Sequence, residues 1–406
     1  MVRTAHDQWF YREKILMNRR YITADWIYPV TSPRIFQGVL VMDGEKIIDI
    51  TTREHVPADQ MEYHKGILIP GFINTHCHLE LSHLKGRIAT GTGLLAFIKG
   101  VVSLREVSQD EIDAAIEEAD EYMWSHGIQA VGDICNKADT FDVKRRSKIK
   151  YYSFVEMFDF LQDSRTDELT RSYKDAYTQA PEPKSAVPHA PYSVSPGLFH
   201  QINALNSNPV TVSIHNQELK AEDELFLNGA GDFYKFYNGF GMNLDHFQKT
   251  GQSSIHYGLK HMDPEHRTLF VHNTLTKPDE IEAAHGWNKN VYWATCPNAN
   301  LYIENKLPDY SSFINANALM TIGTDSLTSN WQLSVLEEMK TISRYQSGIS
   351  FDTLLQWATI NGARALGMDD ELGSLEIGKQ PGVLVLNFDP DTDMLDDPDV
   401  IVKRLI

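Results

Sequence analysis

Cysteine is scarce in this chain: there are three in 406 residues, Cys77, Cys135 and Cys296, and no CxxC pair among them. That excludes a dense disulfide framework, and a reducing cytoplasm fits it best. Positive charge is also in short supply, with 37 Lys and Arg against 55 Asp and Glu, a formal charge of -18. Such a surface does not attract a nucleic-acid backbone or an anionic membrane, so the expected partner is a small molecule. The densest basic run, "KRRSKIK" at 144–150, reads as a solvated surface segment. Long apolar runs are missing too. The opening "MVRTAHDQWFYREKILMN" has no signal-peptide core, and no later stretch approaches the length of a membrane span. A "GK" pair at Gly378 lacks the upstream glycine-rich loop of a phosphate site.

What the sequence does contain is a recurrence. Short β-rich runs begin with "GILIPGFINTHCH" (66–78) and return at 127–135, 151–159, 185–193, 210–218, 268–274, 291–297 and 318–326. Helical patterns fill several gaps; "SQDEIDAAIEEADEYMWSHG" (108–127) is amphipathic, with a polar start and a glycine stop. Eight strands alternating with helices predict an α/β fold, a (β/α)8 TIM-like barrel over residues 69–373. The flanks, 1–68 and 374–406, alternate in short β-like runs and are expected to meet outside the barrel as a small β-sandwich built from both chain ends.

The ends of these runs carry residues able to bind metals. In a strand the two-residue period sends His76 and His78 to one face and Cys77 to the other, although an HxH alone could equally be a hydrogen-bonded pair. His189, His215, His272 and Asp325 end the fourth, fifth, sixth and eighth runs, and a barrel would gather them at one mouth. His200, His246, His256, His261, His266 and His285 fall in helices or loops, where solvated roles are expected.

With "PGFINTHCH", "SIHNQE", "LFVHN", "TCPNANLYI" and "TIGTDSLTSN" in this order, the chain resembles the amidohydrolase superfamily, specifically its deaminase branch with one metal. The resemblance covers nearly the whole chain. It implies that His76, His78, His215 and Asp325 bind one divalent ion per chain, zinc or, with the same ligands, iron. It further implies that Glu218, His272 and Asp325 handle protons during the reaction. Binuclear relatives carry a carboxylated lysine at the end of strand four, whereas this chain has "VPHAPYS" there and Lys184 at the strand's beginning. Cytidine-type zinc deaminases pair an HxE with PCxxC, and "TCPNAN" offers no second cysteine.

In the implied reaction Glu218 donates a proton to a ring nitrogen while an activated water attacks the adjacent carbon. Asp325 passes the water proton towards the leaving amine, and His272 steadies the developing oxyanion. Taken alone, Glu218 would also suit an ordinary solvated loop acid. Two long excursions, 78–106 and 224–259, are of the kind that builds a pocket at a barrel mouth. Both look similar to deaminases of adenine-containing nucleosides, most closely to the 6-aminodeoxyfutalosine deaminases of menaquinone synthesis. His189, Glu80 and Ser82 are then expected as substrate contacts, and Lys85, Arg87 or Arg105 as partners for that substrate's carboxylate. S-adenosylhomocysteine, guanine, cytosine or another substituted heteroaromatic ring are alternative substrates. A non-catalytic scaffold is a further alternative that would have lost ligands, and none is missing here. The resemblance is also compatible with a homo-oligomer.

Overall fold

The computed structural model describes residues 19–406, so the opening "MVRTAHDQWFYREKILMN", on which the absence of a leader was read, lies outside the described residues. Five strands come first: β1 (Arg19–Ile27), β2 (Ile35–Phe36), β3 (Gly38–Asp43), β4 (Lys46–Thr52) and β5 (Met61–Pro70). Eight more follow: β6 (Phe72–Cys77), β7 (Ile128–Cys135), β8 (Lys150–Met157), β9 (Lys184–Pro188), β10 (Thr211–Asn216), β11 (Arg267–His272), β12 (Val291–Thr295) and β13 (Leu319–Ile322). The last two are β14 (Val383–Leu386) and β15 (Val402–Arg404).

Strands β6 to β9 pair in chain order as one parallel four-stranded sheet, and β10 to β13 as another. Their residues are almost all buried, as expected for parallel strands covered on both faces by crossover helices. The free edges of the two sheets also touch. His215 N donates to His189 O at 2.9 Å on one side, and the Thr324 and Asp325 amides donate to His76 O at 3.0 Å on the other. The helix Gln109–Ser125 begins where the pattern placed it, with the Ser108 hydroxyl accepting from Glu111 N.

The first run of the eight is not a single strand. Its front half, Ile67–Pro70, pairs with β1 and β14 in an outer sheet, and only Phe72–Cys77 enters the parallel layer. Pro70 has no amide hydrogen to extend the ladder, and at Gly71 a Cβ would lie 2.7 Å from Pro381 O. The chain therefore changes sheets between them.

Both chain ends do contribute to that outer sheet, whose order is β15-β14-β5-β1-β3-β4 with β2 alongside β1. Among the described residues it is one continuous seven-stranded sheet, not two separately bonded layers, and it encloses Ile22, Leu40, Met42, Leu68, Val383 and Val385. β14 can lie on β5 because Gly66 has φ +105 and leaves room where a Cβ would sit 2.0 Å from Leu386 O.

One charge assignment is corrected. Lys144, taken from the sequence as part of a solvated run, is fully buried and its ammonium lies 2.7 Å from Asp133 Oδ2. A run of basic residues cannot show which of them face inward once wound into the short helix Phe141–Arg146. Asp133 Oδ1 meanwhile accepts from Leu79 N at 2.8 Å, so this ion pair fixes the turn that follows His78. Likewise His266, expected in solvent, is buried, with Nδ1 accepting from Val210 N. No helix among the described residues is long and apolar enough to cross a membrane.

Candidate active site

The strand ends bring three imidazoles together. His78 Nε2 lies 3.2 Å from both His76 Nε2 and His215 Nε2, and Asp325 Oδ1 stands 3.5 Å from His78 Nε2 and 3.7 Å from His76 Nε2. His215 Nδ1 donates to His189 O at 2.7 Å, which leaves a lone pair on Nε2 pointing into the cluster. Burial, the largest effect, holds His76 and His215 below the usual imidazole range and pushes His78 down to about 3. Neutral imidazoles and a carboxylate facing one another without intervening donors repel unless a cation sits between them. Atoms about 2.0–2.1 Å from a tetrahedral ion stand about 3.3 Å apart, close to the separations seen here. The residues therefore fit a divalent metal.

A second layer orients the first. Asp325 has φ +57, and its Oδ2 accepts a 2.6 Å hydrogen bond from the Ser329 hydroxyl. Burial would raise the Asp325 carboxyl, but the imidazoles of His76, His78 and His272 around it outweigh that and hold it below the usual range. His272, also in the left-handed region at φ +71, donates from Nδ1 to Asn300 Oδ1 at 2.8 Å, so its Nε2 carries the lone pair. Glu218 Oε1 lies 3.9 Å from that Nε2, and burial pushes the Glu218 carboxyl up to about 7. The acid is thus ready to hold a proton near neutrality.

Ser329→Ala removes one support and no ligand. Bound metal is expected to persist while kcat falls about tenfold, as is typical when an outer partner is lost. Metal analysis beside steady-state kinetics checks both halves, and unchanged kcat would show that Asp325 needs no such support.

The cluster lies in a cavity lined by Glu80, Arg105, Asn136, Glu156, His189 and Tyr192 among others. His189 faces it with Nδ1 bonded to Ser193 Oγ at 2.7 Å. Glu80 reaches the cavity too, paired with Arg105 at 2.8 Å. Ser82 does not: its hydroxyl turns back to Leu79 O within a short 3-10 turn and is not among the lining residues. Arg87 is committed to Glu111 outside the cavity, and Lys85 does not line it either. Sequence reasoning missed Glu156, although it sits near the end of the third run as His189 sits in the fourth. It also missed Asn300 and Ser329, which lie inside quoted motifs with nothing in the sequence to show where they point. Glu156, His189 and His215 form a second group of potential ligands, but His215 Nδ1 is already used on the His189 carbonyl.

Residues 67–406 match the Amidohydrolase family. An "Adenosine deaminase" of Helicobacter pylori is 25% identical over 363 residues, covering 86% of this chain and 87% of that protein. An "Aminodeoxyfutalosine deaminase" of Nitratiruptor sp. is 26% identical, covering 88% and 89%. Among solved structures, Helicobacter pylori aminofutalosine deaminase in complex with methylthio-coformycin superposes with a TM-score of 0.78 at 22% identity, over 95% of this chain and all of that one.

Proposed function

Because the chain belongs to the amidohydrolase family and is a hydrolase of carbon–nitrogen bonds in cyclic amidines, we propose that it removes the exocyclic amine of an adenine-type nucleoside as ammonia, leaving a carbonyl. The observation that carries this reading is the convergence of His76, His78, His215 and Asp325 beside a buried, protonatable Glu218. The relatives named for adenosine and aminodeoxyfutalosine deamination support it. The finer substrate we propose is 6-aminodeoxyfutalosine. The two parallel four-stranded sheets, hydrogen-bonded at both free edges, are taken as halves of a single (β/α)8 barrel over 69–373, with the outer sheet, from 1–68 and 374–406, as its sandwich satellite. All three cysteines are buried and free, in keeping with a cytoplasmic protein.

The metal in this reading is a single ion, zinc by the preference of three imidazoles and a carboxylate, held by His76, His78, His215 and Asp325. When bound it supplies a Lewis acid that lowers the pKa of water towards about 7. The protein's own groups do the rest. Glu218, protonated, donates to the ring nitrogen next to the carbon under attack. His272, with its lone pair on Nε2, receives a proton from the attacking water, and only then, as imidazolium, can it steady an oxyanion. Asp325 Oδ2, steered by Ser329, takes the remaining proton from the hydroxyl now on the attacked carbon and passes it to the departing amine, which leaves as ammonia, and His272 returns its proton to Glu218, 3.9 Å away.

The test is ammonia release across adenine, adenosine, 6-aminodeoxyfutalosine, S-adenosylhomocysteine, guanine and cytosine. A rise in kcat/KM from adenine to adenosine to 6-aminodeoxyfutalosine is expected, because binding of the remote sugar and its substituent orients the reacting carbon. A preference for guanine or cytosine would overturn the nucleoside assignment.

A further inference from the structure

Glu218 is reached through a turn that is costly to form. Gln217, just past β10, has φ +46, in the left-handed region that a residue with a side chain holds only when its surroundings enforce it. The enforcing groups lie on two sides. On the amide side, the fully buried Glu222 accepts from Gln217 N through Oε1 at 3.1 Å and from Glu218 N through Oε2 at 3.2 Å. On the carbonyl side, the Thr274 hydroxyl reaches Gln217 O at 3.0 Å and Glu218 O at 2.7 Å, and Leu275 N donates to Gln217 O at 3.1 Å.

Helix capping does not account for Glu222. It is the third residue of the helix Lys220–Asn228, whose N-cap is Leu219. An acid in that place ordinarily reaches back to the N-cap amide. Glu222 passes over Leu219 and takes the amides of the two residues before it, one of them the proton donor. Thr274 comes from the opposite quarter, the segment that follows β11 and carries His272. His272 and Asn273 are themselves left-handed, at φ +71 and +59, and Asn273 N donates to Asn216 O at 3.1 Å. The peptide bearing Glu218 is therefore tied to the segment bearing His272.

We propose that Glu222 and Thr274 are positioning residues: together they clamp the Gln217–Glu218 peptide and hold the Glu218 carboxyl against His272 Nε2, at the 3.9 Å over which the proton returns. The inference rests on the proton-transfer role given to Glu218 and deepens it by naming what keeps donor and acceptor in register. Neither residue lines the cavity, so their effect must pass through Glu218. Burial is the largest cause of the raised Glu218 carboxyl; His272 pulls it down, Asp325 and Glu304 push it up, and the buried Tyr192 and Cys296 lie near it. A carboxyl released from the clamp gains water, so its pKa falls and the descending limb of the rate profile moves to lower pH.

The experiment measures ammonia release from adenosine and 6-aminodeoxyfutalosine, metal content and the pH profile of kcat. It compares Glu222→Gln, Thr274→Val and Thr274→Ser with the natural protein and Glu218→Gln. The amide of Glu222→Gln has one acceptor oxygen for two N–H groups, and Thr274→Val loses the hydroxyl with little change of shape. In both, kcat is expected to fall about tenfold or more with metal retained, and the descending limb to move to lower pH. Thr274→Ser, which keeps the hydroxyl, is expected to recover most of the rate and the natural limb. Unchanged kcat, a lower kcat with the limb in its natural place, or loss of metal from the variants overturns the clamp. If Glu222→Gln does not fold, Thr274→Val decides alone. Normal turnover in Glu218→Gln removes the proton-transfer reading and the clamp with it, whereas a slow Glu218→Gln beside normal Glu222→Gln and Thr274→Val removes the clamp only.

Discussion

Glu218→Gln is expected to retain bound metal and lose turnover by ~10²-fold or more, because the amide keeps the size and hydrogen-bonding capacity of the acid but has no proton to give. The pH profile separates this from a binding effect. Burial raises the Glu218 carboxyl to about 7, and the reaction needs its protonated form, so activity should decline as pH rises through that value. The substitution should abolish that decline along with the rate. Near-normal turnover, or a variant that keeps the same descending limb, would remove Glu218 from proton transfer. His272→Asn offers the contrasting case: it spares the four ligands, so most of the metal should remain.

His215→Ala is expected to lose metal and activity together, and by more than the ~10–100-fold in affinity typical when only an outer partner is removed. His215 donates from Nδ1 to the His189 carbonyl just past β9 and points Nε2 at His78, so the substitution removes a nitrogen already aimed into the cluster. Stability gives an independent measurement. A chelator should lower the Tm of the natural protein, since metal bound only to the folded state contributes about 2.7 kcal/mol at a hundredfold excess over Kd. It should leave the Tm of His215→Ala almost unchanged. Two tightly held ions per chain in the natural protein would refute the single-ion assignment, and full metal occupancy in the variant would refute the ligand set.

The convergence of the histidines and Asp325 was legible because strand periodicity and strand ends are local properties. His76 and His78 share a face by the two-residue period, and His189, His215, His272 and Asp325 each end a β-rich run. The same reasoning blurred where one apolar stretch serves two sheets. Only the lost amide at Pro70 and the close approach at Gly71 mark the change from β5 to β6. Side-chain direction outside strands was not legible. Ser82 and Glu80 are neighbours in one turn, yet one bonds its own backbone and the other reaches the cavity. Lys144 lies in the most basic run of the chain and is buried, because its partner Asp133 belongs to another element. The Glu80–Arg105 pair was invisible for a related reason, since neither residue signals that the other has neutralised it.

The seating of β14 against β5 has a consequence for synthesis. Ile69 and Leu384 are opposite one another in the same sheet although the whole parallel layer separates them in sequence. On the ribosome, β5 therefore emerges early and waits with its Ile67–Pro70 edge unpaired until the chain beyond residue 383 has been made. An apolar, uncovered edge is a site for pairing with another chain. A nascent chain stalled before that point should aggregate through β5, and an introduced lysine on the waiting edge should suppress this at some expense to the finished sheet.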